Sequence, residues 1–114
     1  MKTWDSDSVR EHFASIAQEA ERYANELSDR VKKDPKGQSE HVRETHDDYL
    51  AKWFVYDSFA FSSCLESRAE LIAEARTRLA SNSDFRPSNS FTKDGFQKYW
   101  RQHLNALIKE YADA

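Results

Sequence analysis

Residues 50 to 65, Leu-Ala-Lys-Trp-Phe-Val-Tyr-Asp-Ser-Phe-Ala-Phe-Ser-Ser-Cys-Leu, hold five of the chain's fifteen aromatic side chains. At 3.6 residues per turn, Leu50, Phe54, Phe61 and Leu65 fall on one helical face, and Tyr49, Trp53, Tyr56 and Ala60 form a second stripe beside it. A helix apolar on two faces has to be covered from two sides, which makes this segment the expected centre of a small bundle. Trp53 to Tyr56 also has strand propensity, so a strand is the competing reading. The rest of the chain favours helix: two Gly and two Pro in 114 residues supply few of the turns a sheet protein needs. The expected fold is all-α, a single domain over residues 1–114, with about four to five helices around an aromatic-rich central helix.

Residues 1–32 read as one amphipathic helix, with Val9, Phe13, Ile16, Ala20, Tyr23, Leu27 and Val31 forming a heptad seam. Two starts are open: Asp5 as N-cap with Trp4 stapling Val9, or Ser8 as N-cap with Glu11 closing a capping box. Pro35 and Gly37 end this helix. Ser39 to Ala80 contains neither Gly nor Pro. One helix of that length would overhang a compact domain, so breaks are expected around His46 to Tyr49 and around Ser62 to Ser67. Ala69, Ile72, Ala75 and Leu79 then mark a further apolar stripe. Residues 81–90 form a polar loop. The last helix is expected to start at Thr92, with Phe91 stapled onto Phe96 and an inward stripe of Phe96, Trp100, Leu104, Leu107 and Tyr111.

Net charge is −3, from 17 basic and 20 acidic side chains, which is not the footprint of a phosphate-binding surface. Nucleic acid is therefore not an expected partner. No apolar run approaches the roughly 20 residues of a bilayer span, so no membrane contact is expected and the protein reads as cytoplasmic. The lone Cys64 sits among Phe61 and Leu65 as a small core filler. The oligomeric state reads as monomer or homodimer, since the heptad seam could be covered from within the chain or by a second copy.

The chemistry-bearing residues are sparse. His12, His41, His46 and His103 lack the i, i+4 spacing that turns two imidazoles toward one metal, and Gly37 and Gly95 lie too far apart for a phosphate loop. His46-Asp47 is the start of a ligand pair used by HD-type metal phosphohydrolases, which makes a small metal-dependent phosphohydrolase the alternative function; the other reading of His46 is a helix-end residue. Asp57 interrupts an apolar face and is expected to be paired with a core tyrosine or with Arg68 or Arg101. No cofactor is indicated. Glu40, Glu44 and Asp48 form an acidic ridge at i, i+4, i+8, with Asp47 beside it. The ridge leads to Tyr49, Trp53 and Tyr56, and acid beside polar-tipped aromatics suits a partner-binding surface.

At His46, Asp47, Trp53, Phe54, Val55 and Tyr56, and again at Phe96, Tyr99, Trp100, Leu104 and Ile108, the chain resembles a loose group of small helical proteins carried by phages and mobile elements. Those proteins pair a His-acid start with a Trp-Val-Ile-Tyr-type helix and an aromatic C-terminal helix. This chain departs in lacking a glycine after the acidic residues and in having Phe54 where valine is common. The resemblance implies a non-enzymatic role in phage–host conflict: an inhibitor of a host defence complex, of anti-CRISPR or antirestriction kind. An antitoxin or immunity-type module, also a binder, is a further alternative.

Overall fold

The computed structural model describes residues 4–34, 36, 40–81, 87–92 and 94–112, without the Cys64 side chain. Within them the chain forms four α-helices, α1 (Ser6–Lys33), α2 (Glu40–Ala60), α3 (Arg68–Ala80) and α4 (Gly95–Ala112), with a 3-10 turn at Ser63–Glu66. No strand occurs among the described residues, and Trp53 to Tyr56 is helical. The readings placed on Pro35, Gly37, the Cys64 side chain and residues 82–86 lie outside the described residues.

Asp5 caps α1, its carboxylate accepting from the amides of Asp7 and Ser8 at 3.1 and 3.3 Å. Of the two starts left open, the structure has this one, and the bonds from Ser8 hold the Asp5 carboxyl below its ordinary pKa. The buried residues of α1 are Phe13, Ala17, Ala20, Ala24 and Val31. Phe13, Ala20 and Val31 belong to the expected seam, but Ala17 and Ala24 join them while Val9, Ile16, Tyr23 and Leu27 are only partly buried, since small alanines allow a close helix contact that larger side chains flank. α2 runs back along α1, pairing Phe59 with Phe13 and Tyr49 with Tyr23 at ring separations of 6.3 and 5.1 Å. It also packs against α4, while α3 packs on α4 and on the 3-10 turn.

α2 is buried in different directions along its length. Its first half turns Leu50 and Ala51 to Phe96, and its second half turns Val55, Tyr56, Phe59 and Ala60 to Phe13, Leu104 and Leu107. The expected break at His46 to Tyr49 does not occur, because Asp47 directs its carboxylate to residues 91 and 92 instead of competing for its own backbone. The break at Ser62 to Ser67 does occur. There α2 stops at Ala60, and Phe61, expected on a buried face, is 83% exposed. The Arg10 guanidinium donates to the carbonyls of Ala60 and Ser62, and the Trp4 indole donates to that of Leu65 at 2.7 Å. These are acceptors that a continuing helix would have used for its own amides.

Ser67 caps α3 by accepting from the Glu70 amide at 3.1 Å. Leu71 and Ala75 are its buried residues, so Leu71 leads the stripe expected from Ala69, which is exposed. Asp57, expected to be buried with a partner, is partly exposed. α4 buries Phe96, Leu104 and Leu107. Leu104 is fully enclosed, and Leu104→Ala is expected to cost about 2–4 kcal/mol in chemical denaturation; an unchanged midpoint would place the helix elsewhere. The molecule is 52 Å long with a radius of gyration of 15.2 Å, against about 13 Å for a rounder chain of this size, since the 28-residue α1 sets the long axis.

Candidate functional site

His46 and Asp47 stand one helical turn before Leu50 and Ala51, and therefore share their buried direction. They are 1% and 0% exposed. His46 Nδ1 lies 2.9 Å from Asp47 Oδ1. The Phe91 amide donates to Oδ1 at 2.9 Å and more weakly to Oδ2 at 3.2 Å. The Thr92 amide and hydroxyl donate to Oδ2 at 2.7 and 2.5 Å. Burial pushes the Asp47 carboxyl pKa up, but the bonds from His46, from the Thr92 hydroxyl and from the two amides outweigh it and hold the group below its ordinary value. It stays ionised at neutral pH and fixes the approach to α4 against α2.

This geometry corrects several sequence readings. His46 is a mid-helix core residue, not a helix-end one. With α4 starting at Gly95, Phe91 does not stand next to its cap, and the Phe91 ring lies 4.4 Å from that of His46. α4 begins at Gly95 instead of Thr92, because the Thr92 hydroxyl is turned to Asp47. A Cβ at Gly95 would collide with that hydroxyl and stand 3.4 Å from Asp47 Oδ2, so the first residue of α4 is bare where the two groups meet. Both carboxylate oxygens of Asp47 are already occupied by protein donors, which leaves it no ready lone pair for a divalent ion. No group of three or more His, Cys, Asp or Glu that could hold a metal ion occurs among the described residues.

The surface candidates separate. Glu40 is exposed, and Glu44 and Asp48 are half-exposed. Asp48 Oδ1 is 2.6 Å from His103 Nε2, so the last member of the row is engaged with α4. Asp47, read as part of the ridge, is interior. Tyr56, read as part of the aromatic surface, is also interior at 7% exposure, its ring edge-on to Phe13 at 5.1 Å. Burial, then the charge of Glu110 and the neighbouring Tyr111, push its phenol up to about 12. Tyr49 and Trp53 are half-buried. At about 100° per residue they lie more than a quarter turn from Asp48, so acid and aromatics wrap around α2 instead of sharing one stripe. Tyr49 borders a groove between α1 and α2 of about 220 Å³, beside Ile16, Glu19, Tyr23 and Lys52.

The sequence reading missed the role of Asp47 and the exposure of Phe61. A usable signal existed for the first, because Leu50 and Ala51 projected back by four residues give His46 and Asp47. No helix among the described residues is long and apolar enough to cross a membrane. No protein-family model matches the chain, no curated protein matches its sequence and no solved structure matches its fold.

Proposed function

We propose that the chain acts by occupying a partner and not by catalysis, as a phage or mobile-element protein that binds a host defence complex, of CRISPR type, in the bacterial cytoplasm. The observation that carries the reading is the row formed by Glu40 and Glu44, one turn apart on the accessible side of α2 and continued by Asp48. A complex that handles nucleic acid presents lysine and arginine, to which such a row is drawn, and charge attraction of this kind speeds association. Tyr49 and Trp53, farther round α2, add half-buried aromatic area to the same helix. In this reading α2 is the central helix of the bundle, held in place by the Asp47 bonds so that little ordering is needed on binding. The likeness at His46 to Tyr56 and Phe96 to Ile108 supplies the phage and defence part of the proposal.

The test is Glu40→Lys with Glu44→Lys, which spares the Asp48–His103 pair. In cells with an active CRISPR or restriction system, wild type is expected to restore plating of a targeted phage. The double variant should bind the complex about tenfold or more weakly and protect poorly, with stability within about 0.5 kcal/mol of wild type. Protection undiminished by the reversal would remove this surface from the reading, and failure of wild type against every system tried would remove the defence role.

A further inference from the structure

A second feature of α2 lies on its other flank. Between α1, α2 and residues 87–92 is a cavity of about 130 Å³, floored by Ala24 and Leu50. His46, Trp53, Glu21, Asn25, Ser28 and Asn89 complete its lining among the described residues. Glu21, Asn25 and Asn89 are exposed and form a polar rim, while His46 is buried at its base. The Asp47 carboxylate can only accept, so the proton between Asp47 and His46 sits on Nδ1, and the other ring nitrogen, Nε2, takes no part in that bond. The cavity thus offers a carboxylate, an imidazole, two side-chain amides, a hydroxyl and an indole, and no lysine or arginine lines it among the described residues.

We propose that this cavity receives the guanidinium head of an arginine side chain from the partner protein. A planar cation with five N–H donors matches several acceptors set around a small space, and its weak hydration favours stacking on an indole such as Trp53. The size agrees, since a site of roughly 150 Å³ accommodates benzene and an ethylguanidinium has the same number of heavy atoms. An anion would meet Glu21 with no compensating positive charge. A lysine ammonium, a point charge with three donors and a tighter hydration shell, uses the set less fully. The inference rests on the reading of the chain as a binder of a basic partner, but its test needs no partner and is read independently of the Glu40 and Glu44 reversal.

The full chain, labelled with nitrogen-15, is titrated with N-ethylguanidinium chloride while the His46 imidazole resonances are followed, with choline chloride holding ionic strength constant. A saturating shift in the millimolar range is expected, weaker by about fivefold or more in Glu21→Gln, a change at an exposed position that leaves the fold intact. Ethylammonium should bind less well than ethylguanidinium. The peptide Gly-Arg-Gly should bind at least as well as free arginine. No saturating His46 shift up to on the order of 100 mM overturns the proposal, as does an equal response in Glu21→Gln or an equal response to ethylammonium. Binding of free arginine without binding of the peptide overturns the partner side chain as the source.

Discussion

Replacing Asp47 with alanine is expected to cost about 3–5 kcal/mol of folding free energy, the loss typical of a buried, fully bonded charge removed from its partners. Four donors would be stranded together: the amides of Phe91 and Thr92, the Thr92 hydroxyl and His46 Nδ1. The effect should also carry a pH signature. The Asp47 carboxyl titrates below its ordinary value in the folded chain, so its stabilisation is fully present above the unfolded pKa, about 3.9, and is lost as pH falls through the folded pKa. Urea denaturation from neutral pH down to about pH 3 should therefore show wild type losing more stability than Asp47→Ala. A loss under about 1 kcal/mol at neutral pH would mean that residues 91 and 92 are not tied to α2 by this group.

Phe13→Ala is expected to have an effect of similar size, about 3–5 kcal/mol. Its ring stands edge-on to Tyr56, Phe59 and Tyr111 at 5.1, 6.3 and 5.9 Å, joining α1 to α2 and α4 in one contact. Phe61→Ala is the matched control: with 83% of its surface in solvent it should change stability by less than about 0.5 kcal/mol. Thermal and urea unfolding of the two variants side by side check both. Equal losses would contradict the end of α2 at Ala60.

The contrast between these phenylalanines shows how far the sequence was legible. Helical class, the span of α1, the break near Ser62 and the inward stripe of α4 all follow from apolar periodicity and the placement of turn formers, which are local signals. Periodicity puts Phe61 on a buried face only when it is run through the very serines that mark the break. What stops α2 is Arg10, some 50 positions away, bonding to the Ala60 and Ser62 carbonyls, and no local pattern reports such a contact. Asp47 failed for the same reason. Local propensity makes Asp a helix breaker, whereas a partner 44 residues on turns its carboxylate away from its own backbone. The α1 seam departs from its apolar periodicity where small size favours close packing over bulk: Ala17 and Ala24 are buried, and Ile16 and Tyr23 only partly so. Of the candidate surface, the acidic row was visible as spacing; that Asp47 and Tyr56 face inward required the packing.

The most direct measurement of the proposed binding role is carbodiimide labelling of carboxylates, read by mass spectrometry, in the free chain and in its complex with the host defence assembly proposed as its partner. Glu40 and Glu44 should label readily in the free chain and be protected in the complex, while Asp47, already enclosed, stays unlabelled in both. Unchanged labelling of Glu40 and Glu44 alongside new protection on α3 or around Phe61 would contradict binding through this edge of α2.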